Sequence, residues 1–140
     1  MSVKRGIDCK LFRGEAGTTA DTLVENVKDV TLNMESGEAD VTTRKADGWK
    51  AYVATLKEAS LEFTILYDPE DDDYKAFNTA YMTNQPIAFF VTDGSGEGLD
   101  ADFSITNFSM EQPLEEAVSI SVTAKITASE RKPAWKTAAA

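Results

Sequence analysis

The sequence contains no histidine, one cysteine, four prolines and no long apolar run. Without histidine the chain lacks the side chain that most often acts as a general base near neutral pH and most often ligates metals. Cys9 has no second cysteine to pair with, which excludes an internal disulfide framework. It also has no histidine to activate it, which argues against a thiol-based dyad. No segment is long and apolar enough to span a bilayer as a helix, and Met1-Ser2-Val3-Lys4-Arg5 leads into polar residues instead of a signal-peptide core. Synthesis in the cytoplasm is therefore expected. Cations are in the minority, with 14 Lys and Arg against 24 Asp and Glu and a formal charge of −10. Displacing phosphate counterions takes Lys and Arg, so ordinary nucleic-acid binding is disfavoured.

What is present is a chain of strands. At 140 residues, 42% of them hydrophobic, the length suits one domain with enough apolar content to bury a core. Residues 6–13 read as a first strand with Ile7, Cys9 and Leu11 on one side, followed by a loop over residues 14–19. A longer strand runs from Leu23 to Met34, broken near Asn26-Val27-Lys28 in a way that suggests a bulge. Leu61, Phe63, Ile65 and Tyr67 alternate with Glu62, Thr64 and Leu66, the period of a half-buried strand. Residues 86–92 form a continuous apolar strand, and Leu99, Ala101, Phe103 and Ile105 alternate with Asp100, Asp102, Ser104 and Thr106. Val118, Ile120, Val122, Ala124 and Ile126 make the cleanest period-two segment. The tail from residue 129 is polar, with Trp135 isolated in it.

One helix is predicted, over about Asp71–Asn84. Carboxylates crowd its start, where they complement free N–H groups and the positive end of the dipole. Tyr74, Phe77, Ala80 and Tyr81 share a face, and Asn84-Gln85-Pro86 stops it. A nearly all-β domain with one short mid-chain helix points towards assembly more than catalysis. Between Glu35 and Leu56 the pattern weakens: a turn at residues 35–38, a short strand at 39–44, a turn at 46–49, then scattered apolar residues. Val41, Trp49, Tyr52 and Val53 argue against plain disorder there, because such side chains are stable only when covered.

Three groups of residues invite a chemical role, and each has a simpler explanation. The acidic run Asp68–Asp73 lacks the spaced ligands, turn glycine and distal glutamate of a calcium loop, so helix capping is preferred to a metal site. Residues 93–98 have the glycine content of a phosphate loop, but no helix follows and the two carboxylates repel phosphate, leaving a hairpin loop. Asp100 and Asp102 lie two apart on one strand face, a geometry open to acid–base work. No nucleophile or cofactor motif accompanies them, so a solvated sheet face is preferred. No cofactor, metal or catalytic residue is expected.

Several strings, taken in order, resemble the tail tube (major tail) proteins of long-tailed phages. They are Val27-Lys28-Asp29-Val30-Thr31-Leu32-Asn33-Met34, Gly37-Glu38-Ala39-Asp40-Val41-Thr42-Thr43-Arg44 through Gly48-Trp49, and Leu66-Tyr67-Asp68-Pro69 ahead of the helix. Ala101-Asp102-Phe103-Ser104-Ile105-Thr106-Asn107-Phe108, Pro113-Leu114-Glu115 and the Ser/Val/Thr final strand complete the set. The resemblance runs from about Gly6 to Thr127. It implies a two-sheet β-sandwich or barrel with one flanking helix, a fold shared with type VI secretion tube proteins. It also implies a structural protein of the virion tail and not an enzyme. Subunits would form hexameric rings stacked into a hollow conduit for DNA ejection, with tail tip, tail terminator and tape measure proteins as further partners and no membrane. The resemblance maps the inter-ring contact loop onto about Glu35–Leu56, with Val41, Arg44, Trp49 and Tyr52 as contact residues. The polar strand faces, rich in Ser, Thr, Asn and Asp, would make a smooth, hydrated lumen that passes DNA without gripping it. From alternation alone, Asp29, Glu62, Asp100 and Asp102 are the candidates to face inward. The alternatives are a secreted tube of a contractile injection system, which shares the fold, and a carbohydrate- or ligand-binding β-sandwich using Trp49 and Trp135 as stacking platforms.

Overall fold

The computed structural model describes residues 3–127 and 131–137. Eight strands and one α-helix follow in the order β1 (Lys10–Glu15), β2 (Thr22–Leu23), β3 (Val27–Asp40), β4 (Tyr52–Leu66), α1 (Asp72–Thr83), β5 (Ile87–Thr92), β6 (Gly98–Glu111), β7 (Ser119–Ile126) and β8 (Ala134–Lys136). Single 3-10 turns occupy Gly6–Asp8 and Arg44–Ala46. Among the described residues no helix is long and apolar enough to cross a membrane.

The strands join antiparallel in the order β2-β1-β5-β6-β7-β4-β3, with β8 added to β6. β6 makes the corner. Its first half, Gly98–Phe103, pairs with β5, and its second half, Phe103–Glu111, pairs with β7. A register shift between Ile105 and Asn107 marks a bulge, the usual device by which one strand passes from one layer to another. The sheet consequently folds over on itself. Phe63 on β4 and Phe89 on β5 are separated by two strands along the path, yet their rings meet edge to face at 5.6 Å. α1 drives Phe77 into the same place, with its ring centroid 5.2 Å from Phe63 and 5.7 Å from Phe89. Leu11, Leu61, Ile65, Phe103, Ile120 and Val122 complete a core against which Val27 and Leu32 of β3 pack half-buried.

Local sequence accounts for most of this. On β7, Ile120, Val122 and Ala124 are buried while Ser121 and Lys125 are exposed, as period-two alternation dictates. α1 starts at Asp71, whose side chain accepts a hydrogen bond from the Asp73 N–H at 3.2 Å. It ends at Asn84 in the left-handed region, φ 56°, whose N–H is bonded to carbonyls of the last turn. Arg13 on β1 pairs with the buried Asp73, tying the helix start to the first strand.

Four expectations need correction. Residues 6–8 form a 3-10 turn instead of a strand, and Ile7 and Cys9 are exposed, so only Leu11 enters the core from that segment. The second strand is divided: β2 is a two-residue pair with β1, and β3 starts afresh at Val27, with the expected bulge between Val27 and Val30. Residues 35–38 are not a turn, because β3 continues to Asp40 with a register shift between Ser36 and Glu38 that β4 absorbs. Trp135 is not isolated in the tail, since Ala134–Lys136 pair with Gly98–Asp100. Residues 129, 130 and 138–140 of the predicted tail lie outside the described residues.

Candidate assembly surface

β3 and β4 pair from Val27↔Ile65 at one end to Asp40↔Tyr52 at the other. Only the first part of this hairpin covers the core. Beyond Ala59 towards the tip neither strand has a buried residue, so the hairpin leaves the body as an arm. The arm is ordered by its own backbone. Val41 N–H donates to Ala51 O at 2.9 Å, and Ala51 N–H donates to Thr42 Oγ1 at 2.8 Å. Hydrogen bonds from the Thr42 side chain and backbone hold the Asp40 carboxyl below its ordinary value. Asp47 and Gly48, at φ 51° and 86°, turn the chain at the tip. The four sequence-predicted contact residues, Val41, Arg44, Trp49 and Tyr52, are brought together on this exposed tip. Trp49 is 78% exposed and Leu56, at the base of the arm, 87%. Among the described residues no element covers them.

A second surface is the outer face of the layer formed by β3, β4, β7 and the second half of β6. Register places its side chains in rows across the strands: Thr31-Glu62-Thr123-Asn107, then Asn33-Ser60-Lys125-Ser104. Glu62 and Asp29 are exposed, as their candidacy requires. Apart from Lys125 these rows contain short polar side chains and one carboxylate. The layer also has two unpaired borders. β3 ends the strand path. On β6, the edge that carries β5 at Gly98–Phe103 carries no strand at residues 104–111 among the described residues.

Asp100 and Asp102 do not belong to any solvated face. Each is 2% exposed. In the first half of β6 Leu99, Ala101 and Phe103 face the core, while the loop after β1 and the chain from Arg131 to Lys136 cover the opposite side. Arg131 reaches Asp100 Oδ1 through Nη1 at 2.9 Å and Asp102 Oδ1 through Nη2 at 2.8 Å. Gly17 N–H and Thr19 Oγ1 donate to the other oxygens at 2.9 and 3.0 Å, and Lys136 Nζ lies 3.4 Å from Asp100. Burial acts to lower the Arg131 pKa, but hydrogen bonds and charge from the two carboxylates outweigh it and push the guanidinium further up. Sequence reading missed Arg131. Its signal was a group of three cations, Arg131, Lys132 and Lys136, in the polar tail. Trp135 sits in β8 opposite Leu99, whereas Trp49 is at the arm tip, so the two do not form one stacking platform.

The sequence profile of the family described as phage tail tube protein matches residues 10–129. The chain belongs to that family. It is a structural subunit of a tail tube and a component of the virion tail. A comparison with curated proteins finds no match. Among solved structures the fold is similar to a chain in the tail of an empty gene transfer agent particle refined with C6 symmetry, with a TM-score of 0.80 at 14% identity over 96% of this chain and 100% of that one. A chain in the virion of a native gene transfer agent particle gives a TM-score of 0.77 at 12% identity, with the same coverage. The SPP1 tail tube protein, solved by solid-state NMR and cryo-electron microscopy, gives 0.72 at 16% identity over 98% of this chain and 80% of that one.

Proposed function

We propose that copies of this tail tube subunit close laterally into hexameric rings, and that the rings stack through the β3–β4 arm into a hollow conduit for DNA. The observation that carries the reading is the layer β3-β4-β7-β6, which among the described residues has an open strand edge on each side and a polar face that no helix or loop covers. Exposed strand edges are aggregation hazards unless paired. Pairing β3 of one copy with the 104–111 stretch of β6 in the next is a heterologous contact that closes at a fixed rotation. It turns six such layers into one barrel. The sixfold symmetry of the gene transfer agent tail supports that number.

The inner wall of such a barrel is the face bearing Thr31, Glu62, Thr123 and Asn107, with Asp29 near its rim. Asp100 and Asp102 play no part in it, being buried within each subunit. A ring of six copies gathers 60 formal negative charges, −10 from each. The wall offers phosphates few cations to displace their counterions, so DNA passes without being held. Association against this repulsion is driven by apolar burial and backbone pairing. Further partners are the proteins that start and end a tail tube, at the tip and the terminator, and a tape measure within it. Negative-stain microscopy of the purified chain at high concentration, with and without a tail-tip complex, tests the reading. Rings or tubes are expected, and a chain that stays monomeric in both conditions contradicts it.

A further inference from the structure

The two ends of the long strands carry opposite charge. At the arm tip, Arg44, Lys45 and Lys50 outnumber Asp40 and Asp47 in a chain that is otherwise strongly acidic. At the far end of β4, about 45 Å away for a strand of this length, the chain passes from Leu66 into the turn bearing Asp68, Glu70 and Asp72. Register puts the β6–β7 loop at the same end, since Leu66 pairs with Ser119 and Ser119 with Glu111. Tyr67 N–H donates to Val118 O at 2.9 Å, fixing the two segments side by side. That loop presents Leu114, 99% exposed, next to Glu115 and Glu116. One pole is therefore cationic with an uncovered Trp49, and the other anionic with an uncovered Leu114.

We infer that the arm tip of one copy docks on the acidic pole of a second copy, Arg44, Lys45 and Lys50 meeting Glu70, Glu115 and Glu116 while Trp49 covers Leu114. The inference rests on the tube reading and names the receptor for its arm. Complementary ends on one chain make a head-to-tail contact, in which translation along the strand axis brings unlike charges together and any end-to-end reversal brings like charges together. The apolar pair supplies the desolvated centre and the charges supply direction and register.

Charge reversal in the full-length chain tests this. A chain with Arg44→Glu, Lys45→Glu and Lys50→Glu is expected to form rings but no stacked tubes, with unchanged circular dichroism. Adding Glu70→Lys, Glu115→Lys and Glu116→Lys to the same chain restores complementarity with inverted sign and the original net charge, and tubes of wild-type length are expected to return. These three carboxylates are exposed and are not the caps of α1, so their exchange leaves the helix start intact. Normal tubes from the arm-reversed chain overturn the contact, and so does a doubly reversed chain that folds and forms rings but does not stack. A wild-type chain that forms neither rings nor tubes instead overturns the tube reading beneath it.

Discussion

Asp100 and Asp102 occupy the positions between Leu99, Ala101 and Phe103 that strand alternation assigns to solvent. They are buried because Arg131, 29 residues further along the chain than Asp102, returns to cover them. Nothing local to β6 encodes that cover, so the period-two signal was correct about direction and silent about what lay on the far side. A buried carboxylate pair that loses this guanidinium gives up the cation that bridges both carboxylates and keeps Lys136, 43% exposed, beside Asp100. Arg131→Ala is expected to cost about 3 kcal/mol in urea unfolding, the lower end for breaking a buried pair. Arg131→Lys should recover only part, because an ammonium cannot address two carboxylates with a planar fork. A loss within error for Arg131→Ala would contradict the assigned role. A smaller effect is expected at Tyr74, whose pKa is raised by desolvation and by its hydrogen bond with Tyr67. A raised pKa means the folded state favours the neutral phenol, so this contribution is complete below the ordinary value of 10.0 and fades as pH rises through the folded pKa. Between pH 9 and 11, Tyr74→Phe should therefore lose less melting temperature than the wild type, and an identical loss would remove the tyrosine from the explanation.

The elements that could be read from sequence are those whose stability is local or whose pattern is strong. α1 was legible at both ends, because Asp71 and Asn84 cap it with their own side chain and backbone. β7 and the core part of β4 were legible because one face of each is buried. The outer part of the β3–β4 hairpin was not legible as strand: its residues meet solvent on both faces, so no hydrophobic period exists to find, and pairing alone defines it. What the sequence did reveal there was a surplus of apolar residues without a periodic home, at Val41, Trp49, Tyr52 and Val53, and the structure leaves all four exposed. An arm that buries nothing in its own subunit contributes little to that subunit's stability. Replacing residues 41–51 with an Asn-Gly turn, which suits a two-residue connection between the paired Asp40 and Tyr52, should shift the melting temperature by only a few °C. Stacking should be abolished while ring formation persists. Tubes of normal length from this variant would show that the arm is dispensable.

At the scale of the whole molecule, three features of different origin agree on assembly. Among the described residues the four-strand layer has an unpaired border on each side, and its outer face is polar, with few cations, and carries no helix. The arm projects along the strand axis with apolar side chains uncovered. A monomer tolerates each of these at some cost, whereas a ring that stacks uses all three: the borders pair, the polar face becomes the inner wall, and the arm reaches the next ring. Cryo-electron microscopy of tubes grown from the full-length chain tests this arrangement most directly. The expected result is a sixfold tube in which β3 of each subunit pairs with residues 104–111 of its neighbour's β6, and Thr31, Glu62, Thr123 and Asn107 face the lumen. A tube whose lumen is lined instead by α1 or by the β1–β5 layer, or one in which the β3 edge remains unpaired, would contradict it.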